Sequence, residues 1–443
     1  MLLYMMDTKK IRKFFPAIKA GRIVSNNAAS TQIPIQLLDL QKKLAVQYDN
    51  VHRGQSESSL LTTKEFEASY DTIAQFIGAP SRKNIILYRN TTEAINSVMY
   101  SLLTEFKDGD NVVTTFMEHN SNYVPWYGLC QEILPKLGIN VEYRIVKFDK
   151  ETGLLDLEHM KSLVDKKTKL VCCTGASNFL GTINPIKKIK EIADAGGYVQ
   201  PDGEKRAYLL IDGAQLVPNS FVDVNELGID FLAWSFHKMM APFGVGVLYA
   251  KEKLLEKMKP FLYGGDMIAE GKVSPEKVEY NSLPWKFTAG TPNILGTILS
   301  AQAIRLLIDF ALNPRKRKYF LSDNPLDASD VKKAMDNIKS HEQTLIGEAL
   351  KILGSAPSLK IYGPKDPAGR TSLVAFTCEN VSPFKIAEGL NKFGVESRAG
   401  CHCATLAHYY YGLNPPASCR LSFYVYNDLK DVRKACEAVK KCI

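Results

Sequence analysis

The chain has 443 residues, of which 45% are apolar and 23% charged, which is typical of a soluble globular protein long enough for two domains. Its formal net charge of +9 is spread over many segments. The short basic clusters at residues 187–190 and 315–318 contain no interleaved aromatic residues. We therefore expect solvated faces there and no nucleic-acid partner, while a mildly positive field suits anionic ligands.

The lack of a recognisable signal sequence and the cysteine content both favour a cytoplasmic protein. Residues 1–6 are apolar, but Asp7, Lys9 and Lys10 follow at once, so this run is too short for a signal sequence. The sequence contains no run of eighteen apolar residues, so we expect no membrane span. Nine cysteines, an odd number without a regular framework, fit a reducing compartment better than a disulfide scaffold.

The first hundred residues contain two candidate binding segments. Residues 1–22 are expected to form a helical lead without chemistry of its own. The small polar residues at 26–30, which include Asn27, form either a loop that a substrate approaches closely or an ordinary N-cap and turn. After a strand at 85–88, Thr91 and Thr92 open a helix. Its N-terminus can bind a phosphate, but these two residues alone favour a simple N-cap.

Two further strands end in polar residues. A strand at 111–116 leads to His119, whose ring can stack on an aromatic cofactor, although a lone histidine there is more often a hydrogen-bonded core residue. A strand at 169–174 leads to Asn178, which can reach the same cofactor. The carboxyl ends of strands are where open α/β sheets bind ligands, so we expect these side chains to meet there.

The stretch around Lys238 carries the clearest chemical signal. An apolar run ends in Asp212 and is followed by Gln215, then by Ser235, His237 and Lys238. A lysine with a lowered pKa can attack the aldehyde of pyridoxal 5'-phosphate (PLP), and an opposing carboxylate keeps the pyridine ring protonated. Gln215 is placed for the phenolic oxygen, and Ser235 and His237 for the phosphate. A solvated lysine is the alternative, but the surrounding pattern argues against it.

Strands near residues 85, 111, 143, 169, 208 and 229 alternate with helical segments. This pattern predicts an α/β fold with a mostly parallel sheet covered by helices on both faces. A strand at 244–249 is expected to return along the sheet. Breaker residues at 285–293 mark a boundary, which gives an N-terminal segment (1–22) packing with the small domain, a large domain (23–293) and a small α+β domain (294–443).

The small domain contains a second chemical cluster. Cys401-His402-Cys403 follows Arg398 and Gly400. Zinc ligation is one alternative, but no second ligand pair stands at a usual spacing, so we expect no metal site. A thiol beside an arginine, a histidine and a glycine is the better nucleophile candidate. Farther on, Arg420 can clamp a substrate carboxylate through two hydrogen bonds.

In combination, these motifs resemble the class V aminotransferase family of fold type I PLP enzymes, most closely the group II cysteine desulfurases and selenocysteine lyases. The resemblance runs from about residue 23 to residue 443. It rests on Asn27-Ala28-Ala29-Ser30, Val51-His52-Arg53-Gly54, Thr91-Thr92-Glu93, Met117-Glu118-His119, Val124-Pro125-Trp126, Ser177-Asn178, Asp212-Gly213-Ala214-Gln215, Ser235-Phe236-His237-Lys238, Ala289-Gly290-Thr291-Pro292-Asn293, Gly400-Cys401-His402-Cys403-Ala404 and Arg420.

The resemblance implies a large, seven-stranded-type sheet domain and a role for each matched residue. Lys238 would carry PLP as a Schiff base, and Cys403 would take sulfur from cysteine as a persulfide, leaving alanine. A homodimer and a sulfur-acceptor protein in iron–sulfur cluster assembly are expected. The other implied roles are Asp212 on the pyridinium, His119 on the ring, Asn178 and Gln215 near the phenolic oxygen, Thr91, Thr92, Ser235 and His237 on the phosphate, Thr291 on the neighbouring subunit's phosphate, and Arg420, Asn27 and Arg398 at the substrate.

The sequence also departs from the family pattern. Asn90 stands where relatives usually have glycine, Leu406 replaces a proline, and Cys401 adds a second thiol. These changes leave two alternatives to a cysteine desulfurase. The first is another class V lyase or aminotransferase, such as a selenocysteine lyase, with a different amino-acid substrate. The second is a non-catalytic scaffold or sulfur-relay partner, which would bind no PLP.

Overall fold

A central seven-stranded sheet organises the larger part of the protein. The computed structural model describes residues 6–314 and 325–443. The strands are β1 (Ile85–Tyr88), β2 (Asn111–Thr115), β3 (Glu142–Val146), β4 (Thr168–Thr174), β5 (Tyr208–Asp212), β6 (Phe231–Ser235) and β7 (Gly246–Ala250). Their spatial order is β1-β7-β6-β5-β4-β2-β3. Only β7 runs antiparallel to its two neighbours, so the predicted mostly parallel sheet with a returning strand is confirmed.

The sheet is covered on both faces, and its sequence shows why. Every residue of β2, β4, β5, β6 and β7 is buried, as expected for strands between two helical layers, and two apolar clusters fill those layers. Gly246 allows a close approach, because a Cβ there would lie 2.4 Å from the backbone of Asn90. The absence of a side chain at Gly246 therefore lets β7 lie against the backbone just after β1.

The helices of this part of the chain vary from one turn to five. They are Thr8–Ile11, Pro16–Lys19, Ile35–Gln47, Glu57–Phe76, Thr91–Leu102, Asn120–Gly128, Leu157–Leu163, Ile186–Ala195, Val224–Leu227, Glu252–Lys257 and Ile294–Leu312. Ile294–Leu312 is long and apolar enough to cross a membrane, but 83% of that window is buried inside the protein. It is therefore a core helix. The basic cluster at 315–318 lies outside the described residues.

The C-terminal part is an antiparallel sheet covered by helices. Its strands are β8 (Leu359–Tyr362), β9 (Leu373–Cys378), β10 (Arg398–Gly400) and β11 (Ser418–Ser422), in the order β8-β9-β11-β10. Its helices are Ala328–Gly354, Pro383–Lys392, Thr405–Tyr410 and Leu429–Lys441. This arrangement is the α+β architecture predicted for the small domain.

The N-terminal residues pack against this C-terminal part. Arg12 forms an ion pair with Asp431, with Nη1 and Oδ2 2.5 Å apart. The ring of Phe15 lies 4.5 Å from that of Tyr426, centroid to centroid. A short strand, Ile23–Val24, pairs in parallel with Val395–Glu396. These contacts join the two ends of the chain, and the exact domain boundaries stay a prediction.

Candidate active site

A cavity of about 300 Å³ opens at the carboxyl ends of β4, β5 and β6. Eleven of the residues predicted from the sequence line it: Thr91, Thr92, His119, Asn178, Asp212, Gln215, Ser235, His237, Lys238, Arg398 and Arg420. His402 lines it as well. Segments that are distant in sequence thus converge where an open α/β sheet binds its ligands.

Lys238 and Asp212 form the electrostatic centre of the cavity. Lys238 ends a short 3₁₀ turn, Phe236–Lys238, directly after β6, and part of its surface faces the cavity. Desolvation lowers the pKa of its amine to about 8, although the charge of Asp212 partly opposes this. Burial raises the pKa of Asp212, while the N–H of Ala214 donates to its Oδ1 at 2.9 Å and lowers it. The amine is therefore a competent nucleophile near neutral pH.

The N-terminus of helix Thr91–Leu102 supplies donors to one end of the cavity. Asn90, which replaces the family's glycine, caps the helix by accepting from the N–H of Glu93 at 3.0 Å. The N–H of Thr91 donates to Ser235 Oγ at 2.7 Å, and the two hydroxyl oxygens lie 2.6 Å apart. The cap is compatible with the predicted phosphate contact, because a capped helix start still presents N–H groups and a favourable dipole.

His119 is held in one tautomer beside the lysine. Its Nδ1 accepts from the N–H of Ser121 at 3.1 Å, so the proton of the neutral ring is on Nε2. Burial, together with the smaller effects of the charges of Lys238, Arg420 and Arg398, lowers the pKa of His119 to about 3. The ring is therefore neutral and suited to lie against an aromatic cofactor.

Glu118 is a polar residue for which no role of its own was predicted. It is completely buried and accepts from the Thr115 hydroxyl at 2.7 Å, the Thr174 N–H at 2.9 Å and the Asn122 amide at 2.6 Å. Burial raises its pKa to about 8. This carboxyl group joins the ends of β2 and β4 to helix Asn120–Gly128 and so fixes the turn that carries His119. The available signal was an acidic residue three positions after the end of β2, next to His119.

Arg420 on β11 presents free donors to the other side of the cavity. Its Nη1 donates to the carbonyl of Asn178 at 2.7 Å. Its Nε and Nη2 are buried and have no hydrogen-bond partner among residues 6–314 and 325–443. Burial, followed by the charge of Arg398, lowers the pKa of Arg420 to about 9. Two adjacent N–H groups on a guanidinium edge are the arrangement that binds a carboxylate in a bidentate manner.

The cysteine loop forms a tight turn near the cavity. The N–H of Ala404 donates to the carbonyl of Cys401 at 2.8 Å, and His402 and Cys403 both have positive φ, at 53° and 55°. The large domain holds this turn, because the N–H of Asn120 donates to the Cys403 carbonyl at 2.6 Å and the Asn178 amide donates to the His402 carbonyl at 2.7 Å. Cys401 and Cys403 are both half-buried.

Three predicted site residues do not line this cavity. Cys403 is in the turn beside it. Asn27 lines a small neighbouring cavity that also contacts Lys238, and its amide donates to the carbonyl of Ser422 at 2.8 Å. Thr291 is exposed and lines a separate cavity of about 410 Å³. The functional roles of all three stay predictions.

The residues around Lys238 fit PLP. The cavity brings together an amine with a lowered pKa, a buried acid at the end of the neighbouring strand, a neutral imidazole and a helix N-terminus with hydroxyl groups. The buried Oδ1 of Asn178, which has no hydrogen-bond partner among the residues that the structure describes, adds an acceptor for a hydroxyl on a ligand. Within the described part of the chain, no three His, Cys, Asp or Glu residues are grouped so that they could hold a metal ion.

Comparisons with known proteins agree with this geometry. The family described as aminotransferase class-V matches residues 23–319 and 328–434. A cysteine desulfurase of Haloferax volcanii is 36% identical, with 98% of this chain and 97% of that protein covered. A probable cysteine desulfurase of Halalkalibacterium halodurans is also 36% identical, with 98% of each covered.

Solved structures of similar proteins show the same fold. The apo cysteine desulfurase of Thermococcus onnurineus superposes with a TM-score of 0.85 at 28% identity, covering 100% of this chain and 99% of that one. The cysteine desulfurase CsdA of Escherichia coli gives 0.82 at 28% identity, covering 99% and 98%. The predicted fold type I is confirmed. The chain belongs to the class V aminotransferase family of PLP-dependent enzymes.

Proposed function

We propose that the protein is a PLP-dependent cysteine desulfurase, which converts L-cysteine and the thiol of Cys403 into L-alanine and a Cys403 persulfide. The observation that carries this proposal is a single cavity in which Lys238, Asp212 and Arg420 converge beside a loop with two half-buried thiols. The named relatives support the choice of cysteine as substrate.

The chain's own residues would bind and orient both ligands. Bound PLP supplies an electron sink for the bond changes at the substrate's Cα. Asp212 holds a proton on the pyridine nitrogen, and Thr91 and Ser235 bind the phosphate. The free edge of Arg420 orients the substrate carboxylate. The Lys238 Nζ, whose pKa is about 8, can both accept and return a proton near neutral pH.

The reacting thiol is assigned to Cys403. It attacks the substrate's sulfur, the C–S bond breaks, and the leaving carbon takes a proton to become the methyl group of alanine. A purified Cys403→Ser protein is expected to keep its bound PLP absorbance and to lose alanine formation. Cys401→Ser is the matched control, since Cys401 lies in the same turn with similar exposure. Full alanine formation by Cys403→Ser would refute the assignment.

The same assay separates the alternative family reactions. A desulfurase releases one alanine for each sulfur transferred to protein or reductant. An aminotransferase would instead give a keto acid, and a selenocysteine lyase would turn over selenocysteine much faster than cysteine. With an excess of a thiol reductant, which reduces the persulfide, equimolar alanine and sulfide from L-cysteine is the expected result.

We further propose a cytoplasmic homodimer that passes its sulfur to an acceptor protein for iron–sulfur cluster assembly. Thr291 supports the dimer, because it is exposed away from the Lys238 cavity and is free to reach a second subunit. Phe243 and Tyr263 are 73% and 62% exposed, as expected for residues that a partner covers. Sedimentation at micromolar concentration should give twice the mass of one chain, 49.4 kDa. A monomer with full activity would contradict the dimer.

A further inference from the structure

A chain of buried polar groups leads from the cavity into the small domain. His402 Nε2 lies 3.0 Å from the Ser418 hydroxyl, and His408 Nε2 lies 2.9 Å from the same oxygen. At the far end, His408 Nδ1 lies 2.9 Å from the carbonyl oxygen of Ala404. All three side chains are buried, and none has a role in the function proposed above.

The Ala404 carbonyl at the end of this hydrogen-bonded series determines which atom carries the proton in each group. A carbonyl can only accept, so His408 carries its proton on Nδ1, and Nε2 of the neutral ring is an acceptor. The Ser418 hydroxyl therefore donates to His408, and its oxygen accepts from Nε2–H of His402. Because a neutral imidazole has one proton, Nδ1 of His402 has only a lone pair.

The surroundings keep both rings neutral. Burial lowers the pKa of His408 to about 4, a net value that includes an opposing effect of the hydrogen bond to the Ala404 carbonyl and a smaller lowering by the charge of Arg420. Burial also lowers the pKa of His402, as do the nearby Arg420, His408 and Arg398. Phe179 covers the ring of His408 at a centroid distance of 3.8 Å. The proton arrangement is therefore the same throughout the neutral pH range.

Among the described residues, no group donates a hydrogen bond to the Nδ1 lone pair of His402. His402 is 2% exposed and lines the Lys238 cavity, yet its Nδ1 has no hydrogen-bond partner in the part of the chain that the structure describes. A buried acceptor without a partner is unfavourable, so such a group indicates a ligand that supplies a donor. Arg420, beside it, offers only donors.

We propose that His402 Nδ1 accepts a hydrogen bond from the thiol of the bound L-cysteine, with Ser418 and His408 as positioning residues that fix its tautomer. This inference rests on the proposed function. In the proposed arrangement, the substrate's carboxylate binds Arg420 and its amino group faces Lys238. The S–H group is the remaining donor, and His402 is the acceptor on the side of the cavity that carries the Cys403 turn.

The backbone suggests a matched pair of variants. His402 has φ = 53°, a conformation that asparagine tolerates well. His402→Asn can place its carbonyl oxygen near the position of Nδ1, whereas His402→Leu removes the acceptor and keeps an apolar side chain. Ser418→Ala removes the hydroxyl oxygen that accepts from Nε2–H of His402. The His402 ring can then carry its proton on Nδ1 instead.

The test compares L-cysteine with L-alanine, which lacks only the thiol. Dissociation constants are measured at pH 7 from the PLP absorbance of holoenzyme, in a Cys403→Ala background that prevents sulfur transfer. His402→Leu is expected to weaken L-cysteine about tenfold, the scale of one lost hydrogen bond, and to leave L-alanine unchanged. His402→Asn should restore most of the affinity for L-cysteine, and Ser418→Ala should reproduce part of the loss.

The outcomes are distinguishable. Unchanged L-cysteine affinity in His402→Leu, or equal weakening of both amino acids, would overturn the inference. If His402→Leu does not fold, an unchanged ratio of the two constants in Ser418→Ala would also overturn it. Failure of the wild-type holoenzyme to form alanine from L-cysteine would instead refute the proposed function.

Discussion

Arg420 provides a prediction whose size follows from its contacts. One of its three nitrogens is already used by the Asn178 carbonyl at 2.7 Å, and the other two are buried without partners in residues 6–314 and 325–443. A substrate carboxylate would therefore gain two charge-assisted hydrogen bonds, each contributing about 1.5–3 kcal/mol. Replacing Arg420 with methionine should lower kcat/KM for L-cysteine by a factor of about 10² to 10⁴.

The assay is alanine formation, with two controls that isolate the carboxylate contact. Arg420→Lys keeps the charge but loses the planar fork, so its activity should fall between wild type and Arg420→Met. L-cysteine methyl ester lacks the carboxylate charge, so the same substitution should have a much smaller effect on its turnover. A loss of less than tenfold with L-cysteine, or an equal loss with the ester, would refute this role for Arg420.

Three further predictions concern reactivity and stability. Capture of PLP by apoenzyme should accelerate with rising pH around a midpoint near 8, because burial lowers the pKa of Lys238 to about 8 and only the neutral amine attacks; stopped-flow absorbance with a midpoint near 10.5 would contradict this. After incubation with L-cysteine, peptide mass analysis should find the added sulfur on Cys403, and an adduct confined to Cys401 would reverse the assignment. Asp230→Asn should lower the free energy of unfolding by about 3 kcal/mol, because Asp230 and its partner Arg206 are buried 2.6 Å apart. Urea unfolding measures this, with the exposed Asp336→Asn as a control that should shift stability by less than about 0.5 kcal/mol.

The central sheet could be predicted because five of its seven strands are buried along their whole length. Their mostly apolar runs stand out from the helical segments, and β5 and β6 end in the polar residues Asp212 and Ser235 at the sheet edge. The predicted ends of individual strands were less exact. The strand expected near residue 229 begins at Phe231.

Contacts between distant segments were not predictable from one sequence. The hydrogen bond from Ser121 to His119 and the one from Thr174 to Glu118 both depend on how the turn after β2 folds. The periodicity of the sequence predicts neither. The link from His402 through Ser418 to His408 joins a loop, a strand and a helix. The pairing of Ile23–Val24 with Val395–Glu396 likewise joins the two ends of the chain. Tertiary packing alone brings these residues together.

The covalent attachment of PLP to Lys238 tests the central claim most directly. Holoenzyme is reduced with borohydride, digested, and its peptides are mapped by mass. A pyridoxyl group on Lys238, absent from a Lys238→Ala protein, is the predicted result. Unlabelled protein, or a label on a different lysine, would contradict the account.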